Sequence, residues 1–189
     1  MSAQKLSSHQ RLGEQIWTKM PKMNAELFAL TYGAIVMQLI KDYEDIQLVN
    51  QQLEKMGQNI GIRLIDEFLA RSQVASCSNF RDTADMISKI AFKMFLGITA
   101  DCAGVSDSAF SLILNENPFV EFVDLPPQYQ ELHYCNILCG IIKGALHSVQ
   151  LQVECRIIRD VLKGDDCTEI RVELKGVVKN SMSDDYKEN

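Results

Sequence analysis

The feature that most constrains this chain is a change of hydrophobic period partway along it. Up to about residue 97 the apolar residues recur at three- and four-residue spacing, the period of a helix face. Leu27, Leu30, Ala34, Met37 and Ile40 form such a stripe, widened by Phe28, Ile35 and Leu39. Asn24 stands where a helix cap is needed. Residues 45–56 repeat the pattern with Ile46, Val49, Leu53 and Met56, and residues 58–71 with Ile62, Ile65, Phe68 and Leu69. Gly57 between them reads as a break. A fourth helix starts after Asn79, with Phe80, Ala84, Ile87, Ala91 and Met94 or Phe95 on one face, and ends at Gly97.

Beyond Gly97 the period shortens. Residues 99–108 are small and polar, as in a loop. Residues 110–114 and 119–125 read as a strand pair around Asn115-Glu116-Asn117-Pro118, closed by Pro126-Pro127. A helix over 132–148 follows, with Gly140 and Gly144 one turn apart. Glycine costs helix stability, so the pair points to close approach of another backbone. Strands over 149–158 and 169–178 complete the pattern. Helices, a strand pair, one helix and a strand pair make an α+β order. The expected architecture is a single domain of helices on a four-stranded antiparallel sheet, over residues 24–180. Residues 1–23 read as a flexible N-terminal arm and residues 181–189 as a disordered tail.

The chain has 189 residues and a formal net charge of −6, which argues against nucleic acid as a partner. No run of 18 apolar residues suggests a membrane span. The mixed residues 1–23 lack an apolar signal-peptide core, so a cytosolic location is expected. The six cysteines form no CxxC pair and no metal-ligand spacing with His9, His133 or His147. Reduced thiols and no metal are expected.

No catalytic pattern stands in the sequence: there is no GxSxG, P-loop or HExxH. Asp66-Glu67 would diverge on a helix, and Asp165-Asp166 sits in a turn. His133 and Cys135, two residues apart, also diverge on a helix. Cys77 differs from the other cysteines, since it lies in a short polar connection just before a helix N-terminus. The chain is therefore read as a non-enzyme.

Several stretches resemble one known family in order. They include Leu27-Phe28-Ala29-Leu30-Thr31-Tyr32-Gly33-Ala34, Met56-Gly57-Gln58-Asn59-Ile60-Gly61-Ile62-Arg63, Phe68-Leu69-Ala70-Arg71-Ser72, Ala91-Phe92-Lys93-Met94-Phe95-Leu96-Gly97, Asn117-Pro118-Phe119-Val120-Glu121-Phe122, Gly140-Ile141-Ile142-Lys143-Gly144 and Leu162-Lys163-Gly164-Asp165. Together they resemble the third-subunit family of the TRAPP (transport protein particle) vesicle-tethering complex, over residues 24 to about 175.

The resemblance implies an α+β subunit that dimerises with itself or a related subunit. It implies a role in transport between endoplasmic reticulum and Golgi, within a complex that promotes nucleotide exchange on a Rab GTPase. Partners would be other TRAPP subunits, with peripheral association at cis-Golgi and endoplasmic reticulum membranes. It also implies a palmitate or similar acyl chain on Cys77, filling a hydrophobic channel lined by Ala91, and no other cofactor. One departure is Ser76, where family members carry a basic residue before the cysteine. Two other classes compete: a small-ligand-binding sensor, and an acyl-transfer enzyme using Cys77.

Overall fold

The computed structural model describes residues 6–74, 77 and 79–178. Four strands, β1 (Asp101–Ala103), β2 (Ala109–Leu114), β3 (Leu151–Arg159) and β4 (Thr168–Val177), form one antiparallel sheet in the order β1-β2-β4-β3. The register explains which face is core. Phe110, Val172 and Cys155 stand in one row, and Leu112, Ile170 and Ile157 in the next, turned inward. The intervening row is Ser111, Arg171 and Arg156, on the opposite face. There Arg156 pairs with Glu173 at 2.8 Å, so the outer face is polar.

The helices are α1 (Ser8–Lys19), α2 (Ala25–Tyr43), α3 (Ile46–Ser72), α4 (Phe80–Asp85), α5 (Phe92–Leu96) and α6 (Asn136–Ser148). A π-helical turn over Met86–Ala91 joins α4 to α5 without a loop. The caps lie where the sequence places them: Asn24 Oδ1 accepts from the Leu27 amide and Asn79 Oδ1 from the Asp82 amide, each at 2.8 Å. Among the described residues no helix is long and apolar enough to cross a membrane.

Four sequence expectations need correction. Gly57 does not break a helix, because α3 runs unbroken through it. Its role is contact: α3 and α6 run in the same direction, backbone against backbone. A side chain on Gly57 would be driven into the Ile137 carbonyl, one on Gly61 into the Ile141 carbonyl, one on Gly140 into the Glu54 carbonyl, and one on Gly144 into the Gln58 carbonyl. Second, residues 119–125 are not a strand. The Asn117 side chain accepts from the Phe119 amide at 3.1 Å and turns the chain. Buried Phe119 then inserts edge-on between Phe28 and Tyr32, at centroid distances of 5.0 Å. Third, β2 finds its hairpin partner in β1, inside the segment read as loop.

Fourth, residues 8–19 of the expected arm form a helix packed on the domain. Ser7 Oγ accepts from the Gln10 amide at 3.2 Å, and Gln10 Oε1 accepts from the Ser7 amide at 2.8 Å, a capping box. The tail from Ser181 lies outside the described residues, as does Ser76.

The main core cluster includes the buried thiols of Cys135, Cys139 and Cys155. Burial is the main cause that pushes Cys135 and Cys139 up to about 12, from an ordinary 9.0. In the unfolded chain both release their protons near pH 9, while the folded protein retains them. Folding stability is thus undiminished below pH 9 and is lost as pH rises from 9 toward 12. The loss is about 1.4 kcal/mol per pH unit for each thiol. Urea midpoints should accordingly be lower at pH 10.5 than at pH 8, and Cys135→Ala should flatten that decline. Equal midpoints at the two pH values would contradict it.

Candidate functional site

The helices do not close fully on the sheet. Between α2, α3, the α4–α5 helix and α6 lies an apolar cavity of about 1090 Å³. This is at the upper end of small-molecule sites, which span roughly 300–1,000 Å³. Its wall is built from each helix in turn: Phe28 and Ile35 of α2, Leu64 and Phe68 of α3, Phe80 and Phe92 flanking the π turn, Ile141 and Ala145 of α6. Leu174 and Val177 of β4 contribute from the sheet.

Polar groups in the wall are few. Thr31, Thr83, Asn79 and Asp107 contribute, with Tyr32. The Tyr32 hydroxyl is occupied: it donates to the Tyr134 backbone carbonyl at 2.5 Å. Asn79 is the cap of α4, with its oxygen on the Asp82 amide. Asp107 accepts from Arg81 Nε at 2.9 Å. Among the described residues no convergent set of free donors and acceptors therefore faces the space, which suits a hydrocarbon better than a polar ligand.

Both sequence-named positions border this cavity. Cys77 lines it from the connection between α3 and α4, and its residue is exposed, so the thiol stands between solvent and the apolar interior. Ala91 lines it from the last residue of the π turn. Of the other cysteines, Cys135, Cys139, Cys155 and Cys167 are buried and Cys102 is half-buried.

The remaining candidate pairs are not assembled into anything. Cys135 is fully buried, and its sulfur accepts from the Asn117 amide nitrogen at 3.3 Å. His133 lies instead beside Lys163, with Nδ1 at 3.4 Å from Nζ. Burial, with Lys163 close by, holds His133 below its usual range. Asp165 accepts from the Asp160 amide at 2.6 Å and Asp166 pairs with Arg159, so this acidic pair shapes a turn. Among the described residues no three His, Cys, Asp or Glu side chains gather as metal ligands.

Sequence reasoning did not foresee which aromatic and aliphatic residues surround the cavity. Phe68, Phe80 and Phe95 carry the same pattern as core residues, and only the unfilled space between them separates the two roles.

The family model of the Transport protein particle (TRAPP) component matches residues 28–173 of this chain. The chain belongs to the TRAPP component family. The Trafficking protein particle complex subunit 3 of Dictyostelium discoideum is 48% identical over 181 residues, covering 94% of this chain and 97% of that protein. The Transport protein particle subunit bet3 of Schizosaccharomyces pombe is 48% identical over 178 residues, covering 93% and 97%. A crystal structure of a trafficking protein particle complex subunit 3 from Naegleria fowleri, covalently bound to palmitic acid, matches with a TM-score of 0.80. It is 48% identical and covers 85% of this chain and all of its own. The TRAPP component family match thus runs from Phe28 in α2 to Glu173 in β4 and takes in every helix around the cavity.

Proposed function

We propose that this chain is an assembly subunit of a vesicle-tethering complex in transport from endoplasmic reticulum to Golgi, carrying an acyl chain on Cys77 inside the cavity. The observation that carries the reading is the join of an exposed thiol to a large cavity that is mostly apolar among the described residues. The similarity to a subunit 3 that holds palmitic acid covalently supports the choice of a sixteen-carbon chain. Its thioester would leave the hydrocarbon against Phe68, Ala91, Phe95 and Ile141. In this reading the chain has no catalytic residues of its own. It supports Rab GTPase nucleotide exchange by the assembled complex and associates peripherally with cis-Golgi and endoplasmic reticulum membranes. Residues 24–180 act as the assembling domain.

The test is intact mass of the protein purified from a eukaryotic host. One added palmitoyl group is expected, removed by neutral hydroxylamine and absent from Cys77→Ser. A single unmodified mass, with a polar small molecule released on denaturation, favours the sensor reading instead.

Partner subunits are proposed to dock on α2. Its core face is Ala29, Tyr32 and Val36, while Leu27, Leu30 and Met37 are 60%, 64% and 61% exposed. Those three, with Ala34, lie on the opposite side of the helix, so α2 is apolar on two faces. A second copy or a related TRAPP subunit of the same fold would cover the outer one. Leu30→Glu with Met37→Glu should convert a dimer to a monomer by light scattering at micromolar concentration, at an unchanged melting temperature of the separated subunit. A wild-type protein that is monomeric and binds no related subunit would contradict it.

A further inference from the structure

The wall that carries Ala91 has a second side, and α1 covers it. Ile16 of α1 packs with Ile90 and Met94, both essentially without exposure, in a cluster separate from the main core. Phe68, Val74, Met86 and Phe95 pack against that cluster, and the same four side chains line the cavity. One layer of side chains thus separates α1 from the cavity.

The seat of α1 is the π-helical turn itself. Gly13 lies so close to the Lys89 carbonyl that a side chain there would be driven into it. Glu14 pairs with Lys93 at 2.8 Å, just past the turn. Trp17 lies against Gly97, where an added Cβ would meet the indole at 2.8 Å. Backbone contact, an ion pair and an aromatic anchor therefore grip the segment Met86–Ala91 and its continuation from outside.

We infer that α1 is a brace for the acyl cavity: its docking and the filling of the cavity favour one another. The inference rests on the proposal that the cavity takes an acyl chain. A helix of 12 residues is marginal alone, so α1 is helical because it is docked, and docked or released are its two states. When α1 leaves, Ile90 and Met94 face water. The nearest way to rebury them is inward, into space the acyl chain needs. When the cavity is empty, Phe68, Met86 and Phe95 lack partners on their inner side and can turn inward, which loosens the support under Ile16. Coupling of this kind is reciprocal by thermodynamic necessity.

The test uses full-length Cys77→Ser protein, so that uptake is non-covalent, with tritiated palmitic acid as probe. Gly13→Val prevents the close seat on Lys89, and Trp17→Ala removes the anchor with no clash. Each should weaken palmitate binding about tenfold, within the range usual for coupled sites. Palmitate should slow amide exchange of residues 8–19 in the parent by a matching factor, which a merely stabilising helix remote from the cavity would not show. If Gly13→Val misfolds, Trp17→Ala carries the comparison. Equal palmitate affinity while residues 8–19 exchange freely overturns the brace and leaves the cavity proposal standing. No saturable palmitate binding by the parent overturns both.

Discussion

Gly144→Leu should cost about 3 kcal/mol of folding stability, at the upper end for overpacked sites. The reason is that the leucine meets backbone, not side chains. An added Cβ would be driven into the carbonyl of Gln58 on α3, with further Gln58 backbone atoms at 2.8 Å. Side chains can change rotamer to admit extra volume, but a helix backbone cannot without moving as a whole. Separating α3 from α6 would also strain the ion pairs from Lys143 to Glu54 and Glu154, at 2.6 and 3.0 Å, which tie both helices to β3. For a domain of this length 1 kcal/mol moves the melting temperature by roughly 2–4 °C, so a fall of about 10 °C is expected. Gly164→Ala is the control for glycine loss without contact: nothing lies near its Cβ, and only its left-handed φ of 96° opposes the change. A melting temperature for Gly144→Leu equal to that of the wild type would show that α3 and α6 are not packed this closely.

The second large effect concerns the acyl chain. A palmitoyl group carries about fifteen methylene and methyl groups, each worth roughly 0.8 kcal/mol when buried. Full burial therefore contributes on the order of 10 kcal/mol before ordering costs, comparable with the entire stability of a small domain. Acylated protein should melt well above Cys77→Ser from the same host, by about 10 °C or more if even a third of that energy is realised. Ala91→Leu should fold but exclude the chain, because the added carbons enter the cavity that Ala91 borders and displace no packed side chain. Calorimetry with intact mass on each variant separates the outcomes. If Ala91→Leu unfolds the protein while Cys77→Ser melts like the wild type, the space at Ala91 is ordinary core and the lipid proposal fails.

Much of this architecture is legible in residue types and their spacing. The α+β order, the caps at Asn24 and Asn79 and strands β2, β3 and β4 follow from local chemistry: a side chain that bonds its own backbone, or a period that matches a face. What escapes such reading depends on partners distant in sequence. Gly57 looks like a helix stop until Gly140 is opposite it. The alternation at residues 119–125 is real, but Asn117 turns the chain and Phe119 is claimed by Phe28 and Tyr32. Strand β1 is three residues of modest propensity, formed because β2 presents a free edge. For α1 a signal does exist, in Ser7 with Gln10 three residues on and Leu12, Ile16 and Met20 at four-residue spacing. The site divides in the same way. Cys77 stands apart by its place before a helix N-terminus, its acyl role and Ala91 are named only through family resemblance, and the cavity is defined by volume left unfilled, which no pattern of residue types records.

The glycine contact between α3 and α6 has a mechanical meaning. Helices separated by a layer of interlocked side chains can slide or roll as rotamers exchange. Two backbones in direct contact have no such layer, and the pair behaves as one stiff beam. The α3 part of that beam is 27 residues long, about 40 Å at 1.5 Å per residue. It meets the α2 turn at one end, and the connection bearing Cys77 follows the other. A load applied to α2 would thus reach the Cys77 end as a tilt of the whole beam, and not as a rearrangement within it.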